Sequence, residues 1–328
     1  MNDDNRHWAV GAREYASRAR PQGTPLRRSQ AVTPDRAAQL EMTGISWDPS
    51  QMDLTMIRHV GIEKARHRFR AALPDLIWNA AALEGNTFTL PEVRTLLDGT
   101  TVQGKKLEEE QQILALSEGY SLVDEMVGEG SFRLDKATSD AVHALIARHE
   151  AIESGHFRGE GSVLGGGSVR LSTGGYVDGT PQEELRDRWQ LLMEYLQETT
   201  EPRMRALVYN AAATRTQYYF DGNKRTARLM MAGELMSHGF DVVNIPNSRR
   251  LEFNVALDEL FSTDDATTLM AFTVSCALPG AAQPEESSRK PSPPASQFAE
   301  LRGMKLDRYG QGDGDASETS GPEDDFER

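Results

Sequence analysis

Only one stretch of this chain reads as β-strand. SVLGGGSVRLSTGGYVDG, 162–179, alternates, carries β-branched residues and is broken by glycines, the pattern of a short hairpin. Elsewhere apolar residues recur at helical spacing. One hairpin cannot supply a sheet for helices to cover. The expected fold is therefore mainly α, a helical bundle with a short β-hairpin set into it.

Local signals place the helices. PDLIWNAAALEG, 74–85, stops at Gly85, a natural C-terminal cap. Thr89 with Glu92 three residues on, and Pro91 between, opens LPEVRTLLDG. A Glu-rich helix spans 105–127 and another 137–152. Thr180-Pro181-Gln182-Glu183 reads as a capping box that opens ELRDRWQLLMEYLQ. Further helices cover 202–219, 222–239, 250–261 and 265–278.

The ends are different. Residues 1–45 are rich in Arg, Pro, Gln and Ser and read as a flexible arm; 279–328 read as a disordered acidic tail. QFAELRGMKL in that tail reads as linker, with a transient helix or docking segment as the alternative. One domain, 46–278, remains between them. A net charge of −14 argues against nucleic-acid binding by overall field. No run of about 18 apolar residues is present, and MNDDNRHWAV lacks the basic start and apolar core of a signal peptide. The expected location is cytoplasmic, with no membrane contact; the charged tail is also compatible with secretion as an effector. The single cysteine, Cys276, lies in the apolar run FTVSCAL and reads as a buried, inert thiol.

Candidate chemistry concentrates in TRTQYYFDGNKRTARLM, 214–230. A helix ends near Tyr218–Phe220, Asp221-Gly222-Asn223 turns, and a new helix begins. Glycine lets backbone approach a ligand closely, and the new helix presents unpaired N–H groups and the positive end of its dipole. Lys224, Arg225 and Arg228 follow in the first turn and a half. Cations there oppose the dipole, so an anion or acid is needed to neutralise them. Asp221 is placed to hold Mg²⁺ against a diphosphate. The competing reading is an ordinary turn capped by Asp221 with a solvated basic face. A P-loop is excluded, since G-x-x-x-x-G-K-[ST] is missing.

Gln217-Tyr218-Tyr219-Phe220-Asp221-Gly222-Asn223-Lys224-Arg225-Thr226-Ala227-Arg228 resembles the motif H-x-F-x-[D/E]-G-N-[G/K]-R-x-x-R of the Fic (filamentation induced by cyclic AMP), or Fido, family. ALEGNTFTL, TVQGKKLEEE and GHFRG before the hairpin extend the resemblance over about residues 55–278. It implies a Fic-type helical bundle that transfers AMP from ATP to a protein hydroxyl. Asp221 would then hold Mg²⁺. Gly222, Asn223 and the following backbone would form an anion hole, with Arg225 and Arg228 on the phosphates. Lys224 falls where the family has Gly or Lys. The hairpin would be a flap whose residues 168–177 dock a protein target by strand addition.

The motif, 217–228, departs from the family at its first position: Gln217 stands where the family's general-base histidine stands. An amide cannot take a proton near neutral pH, and general-base help is worth about 10²–10⁴ in rate. Upstream, Ala80-Ala81-Ala82-Leu83-Glu84-Gly85 resembles the inhibitory segment [S/T]-x-x-x-E-[G/N] of one Fic class without its hydroxyl. Glu84 near a helix C-terminus is against the dipole, which is explained if it meets a cation such as Arg228; the competing reading is an exposed surface glutamate. The sequence therefore reads as a Fic-fold protein that binds ATP or another nucleotide with Mg²⁺ but is impaired as an AMP transferase. The alternative is an active protein adenylyltransferase, or a related phosphate-group transferase, in which Gln217 only orients the acceptor.

Overall fold

The computed structural model describes residues 34–279. The tail beyond Pro279 and the arm before Pro34 lie outside the described residues. Among the described residues are eleven α-helices and one hairpin. In chain order these are α1 Pro34–Thr43, α2 Ile62–Ala71, α3 Leu73–Leu83, α4 Leu90–Leu97, α5 Leu107–Gly128 and α6 Lys136–Ile146. Then come β1 Ser168–Arg170, β2 Tyr176–Asp178, α7 Leu185–Glu198, α8 Pro202–Thr216, α9 Asn223–Ser237, α10 Arg250–Thr263 and α11 Thr267–Ser275.

Helix α9 is the axis of the bundle. It packs against α8, α5, α6 and α2. Its apolar residues therefore wrap the helix instead of forming a stripe: Leu229, Met230, Met231, Leu235 and Met236 are all buried. The partner helix α8 buries Leu207 and Val208 together with Ala206, Ala211, Ala212 and Ala213, and the alanines leave room for close packing. A central helix has solvent only at its ends, so the N-terminus of α9 is where its backbone can meet a ligand.

Several expected boundaries move. The final dozen residues of the expected arm are ordered: α1 packs on α7, with Arg188 donating to Glu41 O at 2.7 Å and Arg36 paired to Asp265 at 3.0 Å. Tertiary contacts, absent from a composition argument, hold this polar helix in place. α6 ends at Ile146, and 147–152 are turns. The capping box at Thr180 does not form. The Thr180 N–H donates to Thr216 O and its carbonyl accepts from Arg158, so one 3₁₀ turn, Gln182–Glu184, precedes α7. The box at Thr89 and Glu92 does form. Gly85, at φ 99°, ends α3 in a Schellman turn, with Gly85 N–H on Ala82 O and Asn86 N–H on Ala81 O.

The hairpin pairs antiparallel in the register Ser168↔Asp178, Val169↔Val177, Arg170↔Tyr176. Cys276 is buried, as expected. None of the described helices is long and apolar enough to cross a membrane.

Candidate functional site

The loop between α8 and α9 is shaped by its own side chains. Gln217 caps α8 in the left-handed region, at φ 59°. Asn223, the first residue of α9, braces the loop. Its Oδ1 accepts the Tyr219 N–H at 2.8 Å, and its Nδ2 donates to Tyr219 O at 2.7 Å and Gln217 Oε1 at 3.1 Å. The Asn223 side chain is thus engaged within the loop. Gly222 has φ 73°, and a Cβ there would meet Ala147 Cβ at 2.9 Å. Both facts require glycine.

His143 supports the loop from behind. The Gly155 N–H donates to its Nδ1 at 2.8 Å, so the proton sits on Nε2, which donates to Asp221 O at 2.8 Å. The ring stacks on Tyr219 with centroids 3.7 Å apart. Burial holds His143 down at about 4, so it is neutral near pH 7 and acts as a positioning group.

The first N–H paired inside α9 is that of Thr226, on Gly222 O at 2.9 Å. The N–H groups before it point out of the helix end, as at any helix N-terminus. Around them stand Lys224, Arg225 and Arg228. Lys224 Nζ lies 3.1 Å from Glu84 Oε2, and Arg228 Nη2 lies 3.6 Å from Glu84 Oε1. Burial pushes the Glu84 carboxyl up, but Lys224, Arg228 and Arg225 overcome it and hold the group at about 2. Arg225 is buried, donates to Glu150 Oε1, and has Asp221 Oδ1 at 3.6 Å. Asp221 is exposed, and its Oδ1 accepts the Gly222 N–H, so it does not cap the later turns of α9. One carboxylate at a phosphate site is a normal protein share of Mg²⁺ coordination.

The fit to an anion rests on unmatched groups. Arg228 Nη1 and Nη2, and Glu84 Oε1, are buried without a hydrogen bond. Guanidinium nitrogens buried without an acceptor are costly. Phosphate oxygens at the end of α9 would meet that need.

Gln217 offers no base. Its Nε2 donates to Thr214 O at 2.6 Å while its Oε1 accepts from Asn223, so both ends of the amide are engaged. Burial pushes the Tyr218 and Tyr219 phenols well above their ordinary value. Both ring nitrogens of His143 are engaged, by Asp221 O and the Gly155 N–H.

The hairpin is held at both ends. At its tip, Ser172 N–H and Thr173 N–H donate to the Asp258 carboxylate at 2.9 and 3.1 Å. At its neck, the buried Arg158 donates through Nε to Gln217 O at 2.7 Å, through Nη1 to Gly166 O at 2.9 Å and through Nη2 to Thr180 O at 2.7 Å. One guanidinium thus joins the hairpin to the residue at the motif's first position. Sequence reasoning assigned no role to Arg158, His143 or Glu150. Arg158 alone carried a signal, as the arginine of the glycine-flanked GHFRG that extends the family resemblance.

No family model matches the chain. It is similar to curated proteins named protein adenylyltransferase Fic. That of Drosophila erecta is 25% identical over 260 residues, 78% of this chain and 50% of the relative. That of Drosophila yakuba is 28% identical over 204 residues, 61% and 39%. The chain thus spans about half the length, or less, of these curated relatives. Among solved structures it is similar to Fic-1 of C. elegans (TM-score 0.53, 16% identity, 84% of this chain and 71% of that one). It is also similar to a Fic domain containing signaling protein of Bacteroides thetaiotaomicron (TM-score 0.55, 18% identity, 73% and 90%). These likenesses show a shared fold.

Proposed function

This chain is a member of the Fic/Fido family, and on that premise we propose that it binds a nucleotide, ATP or another, at the N-terminus of α9 while being impaired in protein AMP transfer. The observation that carries the binding is Arg228, whose two terminal nitrogens are buried without a hydrogen bond and have only the Glu84 carboxylate, at 3.6 Å, as an ion-pair partner. In this reading Lys224, Arg225 and Arg228 hold phosphate together with the N–H groups that follow Gly222. Asp221 would hold Mg²⁺, which would offset phosphate charge. Glu84, on Lys224 and Arg228, occupies the same cations and opposes binding.

The impairment rests on Gln217. Transfer to a protein would require a hydroxyl to lose its proton as its oxygen bonds to the α-phosphorus and pyrophosphate leaves. Gln217 accepts no proton, and its amide is already engaged with Thr214 and Asn223. A protein target would lie along residues 168–177 of the hairpin, whose outer edge offers backbone for strand addition. A cytoplasmic location belongs to the same reading, since the lone buried Cys276 needs no oxidising compartment.

The names of the curated relatives favour a second reading, retained adenylyl transfer. Calorimetry with ATP and Mg²⁺, on the wild type beside Glu84→Gly, tests the binding. The variant is expected to bind and the wild type to bind weakly or not at all. If neither binds, the nucleotide reading is wrong. Labelling of protein hydroxyls by ATP separates the two readings. Gln217→His, made in the Glu84→Gly background, is expected to raise labelling about 10²-fold or more. Strong labelling with Gln217 in place, unchanged by histidine, supports the second reading.

A further inference from the structure

Glu84 is not the sole carboxylate on the cations of this site. Glu150, in the turn after α6, accepts from Arg225 Nη1 with Oε1 and from Gln112 Nε2 with Oε2, the latter at 3.0 Å. Gln112, on α5, accepts at its Oε1 from Asn86 Nδ2 at 2.8 Å. An amide has one oxygen and one nitrogen, so the Asn86 donation turns the Gln112 nitrogen toward Glu150. Asn86 is also the residue that closes the Schellman turn behind Glu84, through its N–H on Ala81 O. The same turn therefore places Glu84 directly and Glu150 through two side-chain amides.

We propose that Glu150 is a second charge-setting residue of the phosphate site, held on Arg225 by the Asn86–Gln112 pair, and that it limits the phosphate charge the site accepts. The proposal rests on the nucleotide reading above. The fixed charges balance: Lys224, Arg225 and Arg228 face Glu84, Glu150 and Asp221. Withdrawal of Glu84 frees Lys224 and Arg228, but Arg225 stays neutralised. Arg225 is only 3% exposed, so water screens its contact with Glu150 poorly. A ligand at the end of α9 then meets two free cations, a third cation cancelled by Glu150, and Asp221. The attraction that Glu150 withholds grows in proportion to ligand charge. It weighs less on a nucleoside monophosphate than on a triphosphate without its divalent cation.

The test uses the full chain carrying Glu84→Gly, with and without Glu150→Gln, and measures dissociation constants for AMP and for ATP by calorimetry without Mg²⁺. Glutamine keeps the size of Glu150 and one acceptor for Arg225, and gives up the bond from Gln112. The expected result is ATP affinity higher by about tenfold or more, and a clearly smaller gain for AMP. Gln112→Met, which leaves Glu150 and Arg225 intact but removes the tether, is expected to give the same ligand-charge dependence at reduced size. Equal changes for the two ligands, or weaker binding of both, would make Glu150 a structural anchor for Arg225 and overturn the proposal. If Glu84→Gly binds ATP and neither further change matters, this proposal falls and the nucleotide reading stands. If no variant binds either ligand, both fall.

Discussion

Replacing Glu84 by glutamine should produce a stability loss that depends on pH. In the folded protein burial works against the Glu84 charge, yet Lys224, Arg228 and Arg225 hold the carboxyl at about 2, against 4.5 for a free side chain. A carboxyl depressed in this way stabilises the fold above its unfolded value, and that contribution is lost as pH falls through the folded value. The interval from 4.5 to about 2 corresponds to about 3 kcal/mol. The side chain is 19% exposed, which trims the figure to about 2–3 kcal/mol. Urea unfolding of wild type and Glu84→Gln, from about pH 7 down to about pH 3, measures it. Other titrating groups are shared, so the difference between the proteins isolates Glu84. At neutral pH the wild type is expected to be the more stable, and its advantage should shrink by about 2 kcal/mol by about pH 3. A gap independent of pH would mean that Glu84 is not held as an ion by Lys224 and Arg228, and would refute the reasoning.

Two other perturbations follow from the same contacts. Arg158→Met leaves the carbonyls of Gln217, Gly166 and Thr180 without their buried donor, for an expected loss of about 3 kcal/mol or more in urea unfolding. Hydrogen exchange should quicken at the Gly179 and Thr180 amides, which bond Gly167 O and Thr216 O at the hairpin neck. His143 should stay neutral until about pH 4, where an ordinary histidine changes charge near 6.5. Its folded value is depressed, so its contribution is complete above 6.5 and disappears as pH falls to about 4. The ring proton shifts in an NMR titration read this directly, and a midpoint near 6.5 would show that the ring does not hold the loop as a neutral donor.

Much of this protein was legible because the signals are local. Glycine at 85 and Thr89 with Glu92 act within one helical turn, and the structure forms both caps. The hairpin at 162–179 was legible from its glycines and alternation, and its strands occupy 168–170 and 176–178. The capping box at Thr180 misled because a distant arginine and the end of α8 claim the backbone on which the box depends. α1 was missed for a related reason. A short polar helix has little intrinsic stability, and its contacts with α7 and with Asp265 hold it.

The sequence alone determined that the chain is helical, where one hairpin interrupts it, and that three cations follow a glycine turn with a glutamine at the motif's first position. Those properties depend on residues within a few positions of one another. Tertiary structure decided which acids meet those cations. Glu84 and Glu150 are separated from α9 by more than seventy residues, and they reach it because α3 and α6 pack on or beside the same central bundle. It also decided that Asn223 braces a loop, that His143 is neutral, and that Arg158 joins the hairpin to Gln217. A charge pair or a buried hydrogen bond depends on distance and exclusion of water, and the fold brings both together after the local elements have formed.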